Sequence, residues 1–301
     1  MLSIDDFKPV TLEDKHLFDT HYEKYPPMHS DNVFTTIISW MEYAQYHYTL
    51  LKDNLIIMTK LGNVLRFRPP SGKYDRDIFQ QVFKLAKREG SDDYPIGVID
   101  IQIKDRLSKD YPKLEFTPHR DYFDYVYLAS DLAELPGATY SKIRNRLNKF
   151  KRNYKYTNEK IAEVNMDEVR TFLKRWCLWK DCESDPLLEN EKKAIMFSIN
   201  NFFELELSGI AIRIDGKIEA ISVYEQMNPN TVVVHYEKGA PDYDGVYKTV
   251  NKETAKLIQK EFKFVNREPD MGLPGLRKAK MSYRPHHMVE VYHIARDKIF
   301  L

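Results

Sequence analysis

The chain has 301 residues, with 46 basic against 45 acidic side chains and a formal net charge of +1; this excludes a globally basic nucleic-acid binder but leaves room for local basic patches. That length suits two average domains better than one, and a hydrophobic content of 43% supplies enough apolar side chains for real cores. No apolar run approaches the roughly 18 residues that span a bilayer, and the acidic start MLSIDDFKPV lacks the basic stretch of a signal peptide. The two cysteines, Cys177 and Cys182, match no common metal spacing. A soluble, cytoplasmic protein in a reducing compartment is expected, without a bound metal.

Residues 11–25 (TLEDKHLFDTHYEKY) read as a first helix, with Thr11 as N-cap and Asp14 near the positive helix end. Residues 30–44 place Val33, Ile37, Trp40 and Met41 at helical spacing and read as a second. Residues 47–69 read as strands broken at Lys52–Asn54 and at Gly62–Asn63, both hairpin turn signals. Residues 76–90 form an amphipathic helix whose stripe is Ile78, Val82, Leu85 and Ala86 and whose stop is Gly90. PIGVIDI, residues 95–101, is a short buried-type strand.

The second half repeats this order. SKIRNRLNKFKRN (141–153) is a helix with Ile143, Leu147 and Phe150 on one face, and 165–181 and 187–205 are two more. Strands follow over 208–239, with turns at Asp215–Gly216 and Asn228–Asn230. A helix over 245–259, a strand over 262–266, a basic segment and a last strand over 288–294 close the chain. Residues 65–86 and 233–257 share a plan of apolar strand, Gly/Pro loop, Tyr-Asp pair and amphipathic helix. The expected architecture is α/β (α+β): two copies of one unit, residues 1–128 and 129–301, each a mixed, mainly antiparallel sheet flanked by helices.

Several places could carry chemistry. A helix opening directly after a strand offers unpaired N–H groups to an anion. Both PPSGKYDRD and KGAPDYDGVYK are placed that way, yet neither has P-loop spacing, and Asp242 and Asp244 suit capping better than phosphate binding. In HYEKG, alternation puts His235 and Glu237 on one face and Tyr236 and Lys238 on the other. Glu237 is a candidate general base if buried at a cleft, or else half of an exposed Glu–Lys pair. The helix at 141–153 carries Lys142, Arg144, Arg146, Lys149, Lys151 and Arg152, either a solvated face or a landing surface for a phosphate-rich ligand, with Tyr140 and Asn145 near its start. Trp176 and Trp179 share a helix face and read as core. In NREPDMGLPGLRKAKMSYRP (266–285), Gly272, Pro274 and Gly275 shape a turn, Asn266, Glu268 and Asp270 cap it or face a cleft, and the bases after it meet a ligand or brace the fold.

The segment 123–150 (FDYVYLASDLAELPGATYSKIRNRLNKF), HYEKG and the 266–285 run together resemble a bacterial family named for its likeness to the C-terminal catalytic domain of phosphatidylglycerol lysyltransferase. The resemblance implies a tandem pair of GNAT-like acyltransferase folds. Fem peptidyltransferases share this arrangement and take aminoacyl groups from charged tRNA. The usual GNAT pyrophosphate loop, Gln/Arg-x-x-Gly-x-Gly/Ala, is replaced here by DYDGVYK, with one glycine and two acids, which disfavours acyl-CoA as donor. The expected function is an acyl- or aminoacyl-transferase of unspecified substrate, moving a group from aminoacyl-tRNA or acyl-CoA to an amine or hydroxyl, with its site in the C-terminal half. Glu237 would be the base or amine-orienting group and Tyr283 a donor to the leaving group. Arg277, Lys278 and Lys280 would neutralise donor phosphates, with Arg144 and Arg146 holding the donor from the other side. Tyr140, Asn145, Lys238, Asn266 and Glu268 complete the expected binding set. The alternative is a non-catalytic GNAT-like module that binds RNA or a nucleotide.

Overall fold

Apolar alternation and helical stripes resolve into 14 strands and 11 α-helices among the described residues, 1–91 and 93–300 of the computed structural model. The first stretch holds β1 (Lys8–Pro9), α1 (Lys15–Lys24), α2 (Phe34–Ser39), α3 (Met41–Ala44), β2 (Tyr46–Leu51), β3 (Asn54–Leu61), β4 (Val64–Phe67), α4 (Arg76–Glu89), β5 (Ile96–Asp100), α5 (Ile101–Asp110) and β6 (Thr117–Pro118). The helix expected over 30–44 is broken at Trp40 (φ −96°, ψ 13°) into α2 and α3. Its first half, FTTIIS, holds four β-branched residues in a row, which crowd a helix. α4 starts where Asp75 accepts from the backbone N–H groups of Asp77 and Ile78, at 2.9 and 3.3 Å. α5, absent from the expected elements, starts the same way: Asp100 accepts from Gln102 and Ile103 at 2.8 and 2.9 Å.

The chain continues through β7 (Asp124–Leu128), α6 (Ala129–Glu134), α7 (Ser141–Asn153), β8 (Tyr156–Lys160), α8 (Met166–Lys180), α9 (Pro186–Asn200), β9 (Ser208–Ile214), β10 (Lys217–Asn228), β11 (Thr231–Gly239), α10 (Val246–Ile258), β12 (Phe264–Asn266), α11 (Pro274–Met281), β13 (His287–Val289) and β14 (Val291–Ile294). α11 replaces the turn expected around Pro274 and Gly275. Proline at a helix start loses no hydrogen bond, because the first N–H groups have no intrahelical acceptor. The strand expected over 288–294 is split into β13 and β14.

Two sheets of seven strands result, in the orders β1-β2-β3-β4-β5-β14-β6 and β13-β7-β12-β11-β10-β9-β8. Each contains a parallel step, β4 with β5 and β11 with β12. In each, the two parallel strands are joined through an amphipathic helix, α4 or α10, so the plan shared by residues 65–86 and 233–257 is realised in the topology. Each late strand is then flanked by one from a distant part of the sequence: β5 by β14, and β12 by β7. The chain accordingly divides into one unit of Met1–Asp124, Pro269–Leu273 and Val289–Leu301 and another of Tyr125–Glu268 with Pro274–Met288.

The first unit's core joins Ile56, Met58 and Phe67 of the sheet to Ile78, Val82 and Phe83 of α4, with Ile294 of β14 buried among them. In the second unit, Tyr125, Tyr127, Leu132, Ile143, Val232 and Val265 form one cluster and Phe150, Ile210, Ile212, Val246 and Val250 another. Trp176 is 3% exposed, as expected for core, whereas Trp179 is 38% exposed. Cys177 and Cys182 are joined by a disulfide across the turn that ends α8. Oxidising conditions favour such a bond, in contrast to the reducing compartment expected from composition. Among the described residues, no helix is long and apolar enough to cross a membrane.

Candidate active site

In the second unit, β11 and β12 pair in parallel only from Thr231–Val233 to Phe264–Asn266. β11 then runs on to Gly239, still paired to β10, while the chain turns away at Arg267, whose N–H bonds to Tyr125 O at 2.9 Å. Alternation along the free half of β11 aims His235 and Glu237 towards the diverging segment, and Arg267 and Glu268 answer from it.

His235 sits between two glutamates. Its Nδ1 is 2.8 Å from Glu268 Oε1 and its Nε2 is 2.8 Å from Glu225 Oε1, with the imidazole only 2% exposed. Burial alone would depress its pKa; the hydrogen bonds and charges of Glu225 and Glu268 outweigh that and raise it to about 10. The ring is therefore an imidazolium at neutral pH and ties β10, β11 and the turn after β12 together. Because the folded pKa is raised, the stability His235 contributes is full below its ordinary value of 6.5 and is lost as pH rises through about 10. Urea melts between pH 6 and 10 should show stability falling with pH, and His235→Gln should flatten that slope. An unchanged slope in the variant would remove the imidazolium from this role.

Glu237 is 10% exposed and Arg267 15%. The Arg267 guanidinium is ion-paired with Glu237 Oε2, and Glu237 Oε1 accepts from Asn251 Nδ2 at 2.9 Å. Arg267 also lies over two rings, 5.0 Å from the centroid of Tyr283 and 5.7 Å from that of Tyr127. Among the described residues its buried Nη1 has no hydrogen-bond partner, and neither do Asn251 Oδ1 nor Ser222 Oγ, Ser222 being the residue opposite Glu237 on β10. Lys248 of α10 places its Nζ 5.1 Å from the Tyr283 ring centroid; burial, then Arg146 and Arg267, push its pKa down. Burial pushes the Tyr283 hydroxyl well above its usual value, so it keeps its proton at neutral pH.

Six of the expected residues converge here: Glu237, Tyr283, Tyr140, Asn266, Glu268 and Lys280. Tyr140 donates its hydroxyl to Tyr283 O at 2.9 Å. Asn266 Oδ1 accepts from Glu268 N at 2.8 Å and holds the turn in which Glu268 takes a φ of +59°. Lys280, 8% exposed, donates to the carbonyls of Arg267 and Glu268. Its ammonium is thus committed to the main chain, not presented to donor phosphates.

Arg146 borders the site, its charge acting on Lys248 and Tyr283; the rest of the expected set lies elsewhere. Lys238 points to the opposite face, 2.8 Å from Glu191 of α9 and 4.2 Å above the Trp176 ring. Arg144 donates to Leu135 O and Gly137 O, at 2.5 and 2.6 Å, satisfying carbonyls left open where α6 ends. Asn145 and Arg146 are exposed on α7, with Arg146 and Lys149 3.4 and 3.2 Å from Asp244. Lys278 is exposed and Arg277 half-buried on α11. Arg267, Asn251 and Lys248 stand outside the expected set. Only the charged pair at the end of an apolar strand, Arg267-Glu268, hints at the first.

The loop before α10, where a GNAT fold would hold a donor pyrophosphate, also takes shape. Gly245 has a φ of +104°, and a Cβ there would come within 3.1 Å of Phe150 Cβ and 3.2 Å of Arg146 O. Asp242 and Asp244 stay in that loop, Asp244 neutralised by Arg146 and Lys149. The pair of carboxylates fits a pyrophosphate poorly.

Two mixed sheets, each with a parallel step closed by an amphipathic helix, make a tandem GNAT-like fold; a tandem GNAT protein from the clavulanic acid biosynthesis pathway shares it (TM-score 0.50, 8% identity, 96% of this chain and 98% of that one). The chain belongs to the phosphatidylglycerol lysyltransferase C-terminal family, which matches residues 22–295, and so stands among acyl- and aminoacyl-transferase-like proteins. It is similar to a conserved protein of unknown function from Bacteroides thetaiotaomicron at 30% identity (TM-score 0.88, 96% of this chain and 98% of that one). It shares its fold with L-PGS from Bacillus licheniformis at 14% identity (TM-score 0.62, 94% and 91%). An uncharacterised protein of Mycoplasmoides gallisepticum is 25% identical over 179 residues, 58% of this chain, and the match spans about half of that protein, 56%.

Proposed function

We propose that the second unit transfers an aminoacyl group from an aminoacyl-tRNA to an amine or hydroxyl acceptor. The observation that carries this reading is the Glu237–Arg267 pair in the wedge where β11 and β12 diverge, with one Arg267 nitrogen left without a partner among the described residues. In such a transfer the acceptor attacks the ester carbonyl carbon, a C–N or C–O bond forms, and the ester C–O bond breaks. Glu237 takes the proton that the acceptor loses. The unpartnered Nη1 of Arg267 donates to the carbonyl oxygen as negative charge builds on it. Tyr283, neutral at working pH, gives its proton to the departing ribose oxygen of the tRNA and regains one from solvent. The acidic loop before α10 argues for a tRNA ester over acyl-CoA. α7 supports the same choice, since Lys142, Arg146, Lys149, Lys151 and Arg152 are all exposed on it and suit a nucleic-acid backbone.

Thermal shift separates the donors, because a ligand that binds only the folded state raises the midpoint. Charged tRNA should stabilise the protein more than uncharged tRNA, and acyl-CoA should have no effect. Equal stabilisation by any RNA would instead mean a binding module without transfer. Replacing both Arg146 and Lys149 with alanine should weaken tRNA binding irrespective of the amino acid carried. It should also lower the slope of log affinity against log salt by about 0.7–0.9 for each phosphate that is no longer neutralised, as filter binding from low to moderate salt would read. An unchanged slope would take α7 out of the donor site.

A further inference from the structure

A second wedge opens within the first unit. β4 and β5 share one parallel register pair, Phe67 with Ile96, and then diverge. Between the continuation Arg68–Gly72 on one side and Val98 to the first turns of α5 on the other lies a cavity of about 300 Å³. Tyr22, Tyr25, Arg68, Tyr74, Val98 and Arg106 line it, together with Pro26, Pro27, Pro69 and Pro70.

Its walls are selective. Pro69 and Pro70 have no N–H, so an extended amide chain cannot add to that edge as a strand would. Asp100 already occupies the positive end of α5 through Gln102 and Ile103, which leaves no place there for a phosphate chain. What remains is flat and cationic. The Arg106 guanidinium lies 4.1 Å from the Tyr74 ring centroid and is exposed towards solvent. Arg68 is held 2.9 Å from Asn32 Oδ1 and 5.0 Å from the Tyr46 ring. Of the acidic groups nearby, Asp100 is engaged by backbone N–H groups and Asp110 by the Tyr74 hydroxyl at 2.5 Å, while Asp31 accepts from Arg68 through its carbonyl. Val98, on the cavity wall, has a φ of +55°. For a β-branched residue this left-handed conformation costs energy, and such strain persists where the surroundings enforce a particular shape.

We propose that this cleft binds a small organic anion with a planar aromatic body, its ring among the tyrosines and prolines and its carboxylate or phosphate against Arg106 and Arg68. The site is independent of the transfer chemistry of the second unit.

Calorimetric titration with benzoate, phenyl phosphate and neutral benzamide tests it. At least one anion should bind saturably with one site per chain, and whichever binds tighter identifies the carboxylate or phosphate form. Benzamide should bind at least about tenfold more weakly, as expected when a charge-assisted hydrogen bond is lost. Arg106→Ala should cost the anion about tenfold without moving the melting temperature, since Arg106 is exposed. Glu237→Gln should leave the affinity unchanged. Absence of saturable binding by either anion would overturn the proposal. So would benzamide as tight as the anions, or an Arg106→Ala variant that binds like the parent.

Discussion

Replacing Glu237 with glutamine should lower turnover by about two orders of magnitude, within the range by which a positioned general base accelerates proton transfer, while the donor's affinity changes little. Glutamine keeps the shape and can still accept from Asn251, but it cannot take the acceptor's proton. Steady-state kinetics with charged tRNA would show the loss in kcat and not in KM. The variant also loses the charge opposite Arg267, so its melting curve must accompany the kinetics. A folded variant with parental turnover would remove Glu237 from the mechanism.

Replacing Arg267 with alanine should be more damaging to the fold than any other single change at the site. It strands Glu237, 10% exposed, without its counter-charge. Breaking one half of a buried ion pair in this way costs about 3–5 kcal/mol. The stacking over Tyr127 and Tyr283 goes with it. Urea unfolding should show a lower midpoint with an unchanged slope. Replacing both partners with apolar residues, Arg267→Met with Glu237→Leu, should recover much of that stability and none of the activity, because no charge is left buried and unpaired. If Arg267→Ala unfolds at the parental midpoint, the pair carries no structural weight.

What the sequence discloses follows from the range of the interactions that decide each feature. α7 and α10 are legible to within a residue because their buried stripes repeat at helical spacing, Ile143, Leu147 and Phe150 in one and Val246 and Val250 in the other. The hairpins from β2 to β4 and from β9 to β11 are legible from their turns. α5 and α11 were not expected, although each carries a local signal: Asp100 as a cap for one and Pro274 at the start of the other. In each case a neighbouring pattern, an apolar strand or a glycine–proline pair, is the stronger one. The placement of β7 beside β12 and of β14 beside β5 has no local signature, since the two strands of each pair lie far apart in the chain.

The site divides the same way. Glu237 stands out because strand alternation and a Gly-ended strand put it at an edge. Arg267 does not, because its partner lies 30 residues away and the ion pair exists only once β11 and β12 diverge. Lys280 reads as a ligand-facing base since the surface of a basic segment is its usual place. Burial against two carbonyls is decided by the fold of the turn after β12, which no periodicity encodes.

Single-turnover discharge of aminoacyl-tRNA, followed with the parent protein and Glu237→Gln side by side in the presence of an amine or hydroxyl acceptor, reaches the proposed chemistry without intermediaries. The parent should empty the tRNA faster than buffer does and form an acceptor–aminoacyl product, and the variant should do so about a hundredfold more slowly with the tRNA still bound. Equal rates for parent, variant and buffer, or consumption of acyl-CoA while aminoacyl-tRNA stays intact, would contradict aminoacyl transfer at this site.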